Sequence, residues 1–265
     1  HSISAFCNAG VDIIGNSSFI EYASSPLINF TTMFLIVSAG LGFTVWHDVA
    51  SNIRAVMKEK MPKRRIVTKL GLQSKVVITM TLFLLLSGTL GYFILEYNNP
   101  ATMGDMNVFE KFMASAFQSV TTRTAGFATV SQAALTESSR LLGCVLMFIG
   151  GSPGGTAGGI KTTTMAMVLL TVLCVLRGKR DTECFGRRIE MDVVRSAITI
   201  LIITFTFWLC GVAALTIFEP GKDVLNLMYE ASSAMGTVGL SADLTPYLTR
   251  GSHVVLMILM YVGRI

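Results

Sequence analysis

Three short segments of the sequence have residue types that are typical of a binding site in which backbone carbonyl groups are the ligands. Each places a small polar residue two positions before a glycine, an apolar residue directly before it and a bulky apolar residue directly after it. Glycine adopts backbone conformations with positive φ and, lacking a Cβ, lets another backbone approach closely. Carbonyl oxygens in such turns can replace the hydration shell of a cation. The residues concerned are Asn8, Ala9, Gly10 and Val11; Thr124, Ala125, Gly126 and Phe127; and Thr237, Val238, Gly239 and Leu240.

The three glycines recur at a nearly constant interval. Gly126 follows Gly10 by 116 residues, and Gly239 follows Gly126 by 113 residues. A single glycine turn is typical of an ordinary external loop, but three turns with the same flanking pattern at a fixed period indicate a repeated structural unit. We therefore predict that the three turns converge on one axis and coordinate a cation through their carbonyl groups. The C-termini of the preceding helices would add partial negative charge.

The elements around these turns have the composition of a membrane protein. Hydrophobic residues make up 52% of the chain and charged residues only 14%, with a mean hydropathy of +0.62. This composition excludes a disordered chain and argues against a soluble enzyme domain. The apolar stretches that predict membrane spans are Leu27–Trp46, Val76–Leu95, Leu141–Leu176, Ala197–Phe218 and one that begins at His253.

Two further stretches, Val108–Thr122 and Val224–Gly236, directly precede glycine turns and are helix-like but short. At about 1.5 Å per residue they reach roughly 17–22 Å and cannot cross about 30 Å of hydrocarbon. We expect them to enter the membrane and turn back. The predicted fold is an all-α integral membrane protein in which repeated units of helix, reentrant pore helix and helix surround one pore.

Basic residues cluster in two segments between the predicted spans. Of the 21 lysines and arginines, eight lie in residues 47–75 and six in residues 177–195. The positive-inside rule predicts that both segments are cytoplasmic loops. Because this accounts for the positive charge, nucleic acid is set aside as a partner. Contact with anionic membrane lipid and docking of a cytoplasmic protein explain the charge equally well.

A glycine-rich segment interrupts the third apolar stretch. As one helix, Leu141–Leu176 would be about 54 Å long, far more than a bilayer requires. A phosphate-binding loop is set aside because Ile160 separates Gly159 from Lys161. The segment is predicted to be a non-helical loop at membrane depth that acts as a gate; a flexible kink without gating is the alternative. The gate residues are Gly150, Gly151, Ser152, Pro153, Gly154, Gly155, Thr156, Ala157, Gly158, Gly159 and Lys161.

Three cationic side chains accompany these features. Lys161 is either a cation near the cytoplasmic mouth or a snorkelling side chain. Arg264 lies about 18 Å along the last helix from its predicted start, so it should face a cavity rather than lipid. Arg123, beside a glycine turn, is expected to pair with an outer carboxylate, with contact to the ion as the alternative. Because the spans carry no Ser/His/Asp set, no H-E-x-x-H motif and no paired carboxylates at helical spacing, we predict that the protein is not an enzyme.

The sequence resembles the Trk/Ktr/HKT superfamily of potassium transporters, most closely the membrane subunits of bacterial Ktr systems. The resemblance covers the whole chain and rests on the motifs Cys7–Asp12, Thr122–Phe127, Gly150–Lys161 and Thr237–Ser241. It implies four repeats around one pore and potassium uptake across a bacterial cell membrane, without a covalent cofactor. The glycine turns would form the selectivity filter, the third repeat would carry an intramembrane gating loop, and Arg264 would be a barrier just below the filter.

By the same resemblance, residues 1–58 are the end of repeat two, with its filter and second helix. Residues 59–180 are repeat three, and residues 181–265 are repeat four up to the middle of its last helix. The resemblance also implies a homodimer on a cytoplasmic ring of nucleotide-binding regulatory subunits, with nucleotide acting only through that partner. Sodium stimulation of uptake is left open. The competing function is a secondary cation transporter with alternating access, because a broken span also fits that class.

Overall fold

The computed structural model describes residues 1–14, 18–58, 69–179 and 181–264, and these are predominantly helical. The basic residues predicted within 59–68, Arg180 and the start of the predicted third repeat lie outside the described residues. The helices are α1 (Ser2–Phe6), α2 (Pro26–Gly40), α3 (Phe43–Lys58), α4 (Leu72–Glu96), α5 (Val108–Thr121), α6 (Glu137–Phe148), α7 (Thr162–Leu176), α8 (Met191–Phe218), α9 (Val224–Met235) and α10 (Arg250–Arg264), with 3-10 turns at Ile20–Tyr22 and Thr245–Tyr247.

Helices α4 and α8 are long and apolar enough to cross a membrane, with 25 and 28 residues. They confirm the second and fourth predicted spans. Apolar side chains on α8 remain exposed, among them Ile202, Leu209 and Ile217 at 59%, 53% and 76%. Such a surface suits contact with lipid.

The first predicted span is wrong in its second half. Instead of one helix over Leu27–Trp46, α2 ends at Gly40 and α3 leaves it at an angle of 94°. The turn is made by Gly42, whose φ is +87° and where a Cβ would lie 2.6 Å from the carbonyl oxygen of Pro153. The amide of Phe43 donates to the carbonyl of Gly154 at 3.2 Å. Contact with the glycine-rich segment therefore bends the chain. The local sequence pattern does not predict this contact.

The short helices α5 and α9 are enclosed by other helices, as predicted for reentrant helices. Helix α5 packs against α2 and α4, and α9 packs against α6, α8 and α10. Phe117 of α5 and Leu227 of α9 are completely buried. Asn107 and Glu110 form a capping box at the start of α5, which sets where that helix begins.

A two-stranded antiparallel hairpin, β1 (Glu183–Cys184) and β2 (Arg187–Arg188), follows α7. Its turn residues Phe185 and Gly186 both have positive φ, 49° and 75°. This is the geometry of a tight hairpin turn of the I′ kind. Cys184 is buried in the same apolar cluster as Val76 of α4, so the hairpin packs beside the helices. The sequence reading did not predict this hairpin.

Candidate ion-coordinating site and gate

The three glycine turns, defined as residues 8–11, 124–127 and 237–240, share one backbone geometry. In each turn the glycine has positive φ, and so does the polar residue two positions earlier. A non-glycine residue with positive φ is uncommon and strained, so its recurrence in all three turns marks a shared constraint. Sequence reasoning predicted unusual dihedrals at the glycines but missed the polar position. The φ values are 49° and 64° for Asn8 and Gly10, 68° and 81° for Thr124 and Gly126, and 53° and 89° for Thr237 and Gly239.

The glycine turns meet in space, with Gly126 between the other two glycines. A Cβ added to Gly126 would lie 2.6 Å from the carbonyl oxygen of Val238 and 3.0 Å from the Cα of Gly10. One added to Gly10 would lie 3.0 Å from the carbonyl oxygen of Ala125, and one on Gly239 would lie 3.7 Å from the Cα of Gly126. Close backbone contact therefore leaves no room for a Cβ at Gly126 and little at Gly10, with carbonyl oxygens at both contacts, whereas at Gly239 the positive φ rather than the space favours glycine.

Hydrogen bonds to the preceding helix fix each turn at a helix C-terminus. The residue before each glycine donates its amide to that helix: Ala9 to the carbonyl of Ser4 at 2.9 Å, Ala125 to Thr121 at 3.0 Å and Val238 to Ser233 at 2.8 Å. In the second turn the hydroxyl of Thr121 also donates to the carbonyl of Phe127 at 2.5 Å. The partial negative end of each helix thus lies next to the point where the turns meet.

A buried polar network braces two of the turns from behind. The hydroxyl of Tyr229 on α9 donates to the Oε1 of Gln132 at 2.7 Å. Gln132 and Gln118 of α5 also exchange hydrogen bonds of 2.6 and 3.1 Å. These three side chains are at most 5% exposed. The network joins the helix before Gly126, the segment after it and the helix before Gly239, and the sequence carried no recognised signal for it.

Replacing Tyr229 with phenylalanine is expected to destabilise the full-length protein by about 1 kcal/mol, because one buried hydrogen bond is lost while Gln132 keeps Gln118 as a donor. Thermal unfolding of the purified protein in detergent measures this. Tyr247→Phe is the matched control, since Tyr247 is 77% exposed. Equal unfolding midpoints for Tyr229→Phe and the wild type would contradict the bracing role.

The glycine-rich loop, Gly150–Lys161, separates α6 from α7 and is not helical, as predicted. Its two ends are tied together by a parallel bridge between Ile149 and Ile160. The amide of Gly150 donates to the carbonyl of Ile160 at 2.9 Å, and that of Thr162 donates to Gly151 at 3.0 Å. We call residues 149–152 and 160–162, which include the flanking Ile149 and Thr162, the neck of the loop, and residues 153–159 its apex.

The apex lies on the side of the glycine turns where their polar residues are. A side chain at Gly158 would overlap that of Thr237, and a Cβ at Gly159 would lie 3.4 Å from the Cα of Gly236. The hydroxyl of Thr156 donates to the carbonyl of Phe6, just before the first turn, at 3.5 Å. The loop therefore contacts the start of the third glycine turn, at Gly236 and Thr237, and Phe6, two residues before the first turn.

The cationic side chains turn toward this loop. The Nζ of Lys161 donates to the carbonyl of Ala157 at 2.8 Å, within the loop itself. The Nη1 of Arg264 donates to the carbonyl of Thr156 at 2.6 Å, while the side chain stays exposed. The structure thus brings Arg264 and Lys161 together with the apex.

The expectation for Arg123 was wrong. Its Nη2 donates to the carbonyl of Gly150 at 3.2 Å, and the residue is only 7% exposed. Within the ranges that the structure describes, Arg123 takes part in no ion pair with a carboxylate. The reason is positional: Arg123 follows the C-terminal end of α5, which ends beside the glycine-rich loop.

Comparison with known proteins agrees with this architecture. The family model for TrkH, described as a cation transport protein, matches residues 1–265. The Ktr system potassium uptake protein B of Bacillus subtilis is 38% identical over 265 residues, which is 100% of this chain and 56% of that protein. The potassium/sodium uptake protein NtpJ of Enterococcus hirae is 35% identical over 268 residues, again 100% of this chain and 56% of that protein.

Among solved structures, the crystal structure of the potassium transporter TrkH from Vibrio parahaemolyticus aligns with a TM-score of 0.73 at 20% identity, covering 100% of this chain and 55% of that chain. This likeness supports the fold, which is the predicted all-α membrane fold. The chain spans about half the length of the curated relatives it matches. The resemblance inferred from the motifs is confirmed over the whole chain. The chain therefore belongs to the TrkH family of cation transport proteins.

Proposed function

We propose that the full-length protein takes up potassium across a bacterial cell membrane and that the glycine turns of this chain are three of the four parts of its selectivity filter. The observation that carries this proposal is the meeting of Gly10, Gly126 and Gly239 at helix C-termini with carbonyl oxygens at the contacts. The names of the relatives support the choice of ion, since one is a potassium uptake protein and another a potassium/sodium uptake protein.

In this proposal the protein performs no covalent chemistry. A potassium ion exchanges its hydration shell for carbonyl oxygens of residues 8–11, 124–127 and 237–240 and of a fourth, equivalent turn. The helix C-termini stabilise the bare cation. The ion then moves down its electrochemical gradient. The division of the chain into repeats at residues 58 and 180 is part of the same proposal.

The glycine-rich loop is the proposed gate. Its apex contacts Phe6, near the first turn, and Gly236 and Thr237, at the start of the third, so an ion leaving the filter would meet it. Small residues let the apex pack here and also let it move. Arg264, bonded to the apex, adds a positive charge that opposes long occupancy by a cation.

Potassium and rubidium uptake by the full-length protein, in a strain without its own uptake systems, tests the proposal. Uptake that depends on expression is expected, and its absence in a correctly inserted protein would refute the proposal.

A secondary cation transporter with alternating access is the second candidate, because the span between α6 and α7 is broken. Flux separates the two, since channel-like conduction is fast and alternating access turns over slowly. Adding sodium during the assay tests sodium stimulation.

We further propose a homodimer that docks through its basic segments on a cytoplasmic nucleotide-binding partner, with membrane lipid around it.

Nucleotide is expected to act only through that partner. Three amides of the loop are already engaged within the protein, since those of Ser152, Gly155 and Gly159 donate to the carbonyls of Gly40, Ser152 and Gly263, and Ile160 interrupts the phosphate-loop pattern. Radiolabelled ATP should therefore show no saturable binding to the purified membrane subunit alone. Saturable binding that Lys161→Ala abolishes would overturn this prediction.

A further inference from the structure

Arg123 is a buried cation placed between a glycine turn and the glycine-rich loop. It lies two residues beyond the end of α5 and directly before Thr124, whose φ is 68°. Its Nη2 reaches the carbonyl of Gly150, the first residue of the loop, at 3.2 Å. Its Nη1 has no hydrogen-bond partner among the described residues. A buried arginine that is not paired with a carboxylate is costly, so a specific role is expected of it.

The surroundings of Arg123 are closely packed. A cavity of about 10 Å³ adjoins Arg123, lined in part by Gly40, Thr81 and Gly151. Such a volume holds at most about one water molecule. Arg123 is therefore held in place by the close packing around it.

The two parts of the glycine-rich loop are held by different groups. The neck is closed on itself, and the Oγ of Ser152 lies 3.0 Å from the Oγ1 of Thr162. The amide of Ser152 also donates to the carbonyl of Gly40 at the end of α2. The apex is bonded to other elements, through Arg264 and Gly263 of α10 and through Phe43 of α3. Only the neck is bonded to Arg123.

We propose that Arg123 is a positioning residue that fixes the neck of the loop to the glycine turn of residues 124–127, so that movement of the loop is confined to its apex. The guanidinium acts as a hydrogen-bond donor to Gly150, and its charge strengthens that bond. The proposal rests on the proposed function only in taking the loop as the gate. The link between Arg123 and the neck of the loop does not depend on that function.

Thiol accessibility in the full-length protein tests the proposal. In a cysteine-free background, Ser152→Cys places a reporter thiol in the neck and Thr156→Cys places one in the apex. With Arg123→Met, a water-soluble thiol reagent should modify the neck thiol about tenfold faster or more, because a charge-assisted hydrogen bond has been lost. Modification of the apex thiol should change little. Arg123→Lys should keep the neck thiol protected, since an ammonium group can still donate to the carbonyl of Gly150.

The matched control is Arg195→Met, because the Arg195 side chain is 77% exposed and lies at the start of α8. The rate of thiol modification is also measured with Arg123→Gln, and this variant replaces Arg123→Met if the latter does not assemble. Unchanged protection of the neck thiol in both variants would overturn the proposal. A second outcome would also overturn the proposal: the Arg123 variants lose the preference for potassium over sodium while the neck thiol stays protected. Arg123 would then act on the filter. Absent uptake by the wild type refutes the proposed function, whereas the thiol measurement needs no transport.

Discussion

Replacing Gly126 with alanine in the full-length protein is expected to reduce the preference for potassium over sodium by about tenfold or more. Gly126 has φ of +81°, a conformation that costs an alanine about 1–2 kcal/mol. The added Cβ would also lie 2.6 Å from the carbonyl oxygen of Val238 and 3.0 Å from the Cα of Gly10. Both neighbours are backbone and cannot swing aside, so two glycine turns must shift and their carbonyl oxygens move with them.

Gly178→Ala is the control that separates backbone strain from contact with the neighbouring turns. Gly178 also has positive φ, +69°, but an added Cβ there would have nothing within 4 Å. It should leave relative potassium and sodium uptake unchanged. The measurement is rubidium and sodium uptake at matched protein levels. An unaltered preference in Gly126→Ala would remove the basis for assigning a filter to these turns.

Replacing Arg264 with glutamine is expected to raise potassium uptake about tenfold without changing the preference over sodium. Because the glutamine side chain is shorter than that of arginine, the hydrogen bond to the carbonyl of Thr156 is weakened and the apex is loosened. It also removes a positive charge from the proposed path, and two unit charges about 10 Å apart interact by about 1.7 kcal/mol at an effective dielectric constant of about 20. Both effects favour passage of a cation, and neither involves the glycine turns.

Arg250→Gln is the control for Arg264→Gln, because Arg250 is the first residue of the same helix and is exposed. Initial uptake rates of the two variants and the wild type are compared at equal expression. Equal or lower uptake in a folded Arg264→Gln protein would show that this arginine is not a barrier. A changed ion preference would place its effect on the filter.

Several features could be predicted because they depend on local properties of the sequence. The spans α4 and α8 follow from long apolar runs, and α5 and α9 from apolar runs too short to cross a bilayer. The interruption between α6 and α7 follows from consecutive glycines, which a helix interior disfavours. The bend at Gly42 could not be predicted, since one glycine inside an apolar run is compatible with a continuous helix and only contact with Pro153 decides between them.

The sequence by itself determined the membrane class, the family and the three glycine turns, because hydropathy, periodicity and the need for glycine are properties of short segments. Only the tertiary structure decided how these turns meet and where Arg123, Lys161 and Arg264 donate. All three side chains donate to carbonyls of the glycine-rich loop. A backbone carbonyl has the same chemistry in every residue, so sequence cannot mark which one a long side chain will reach. That choice depends on how distant helices pack and bring their ends together.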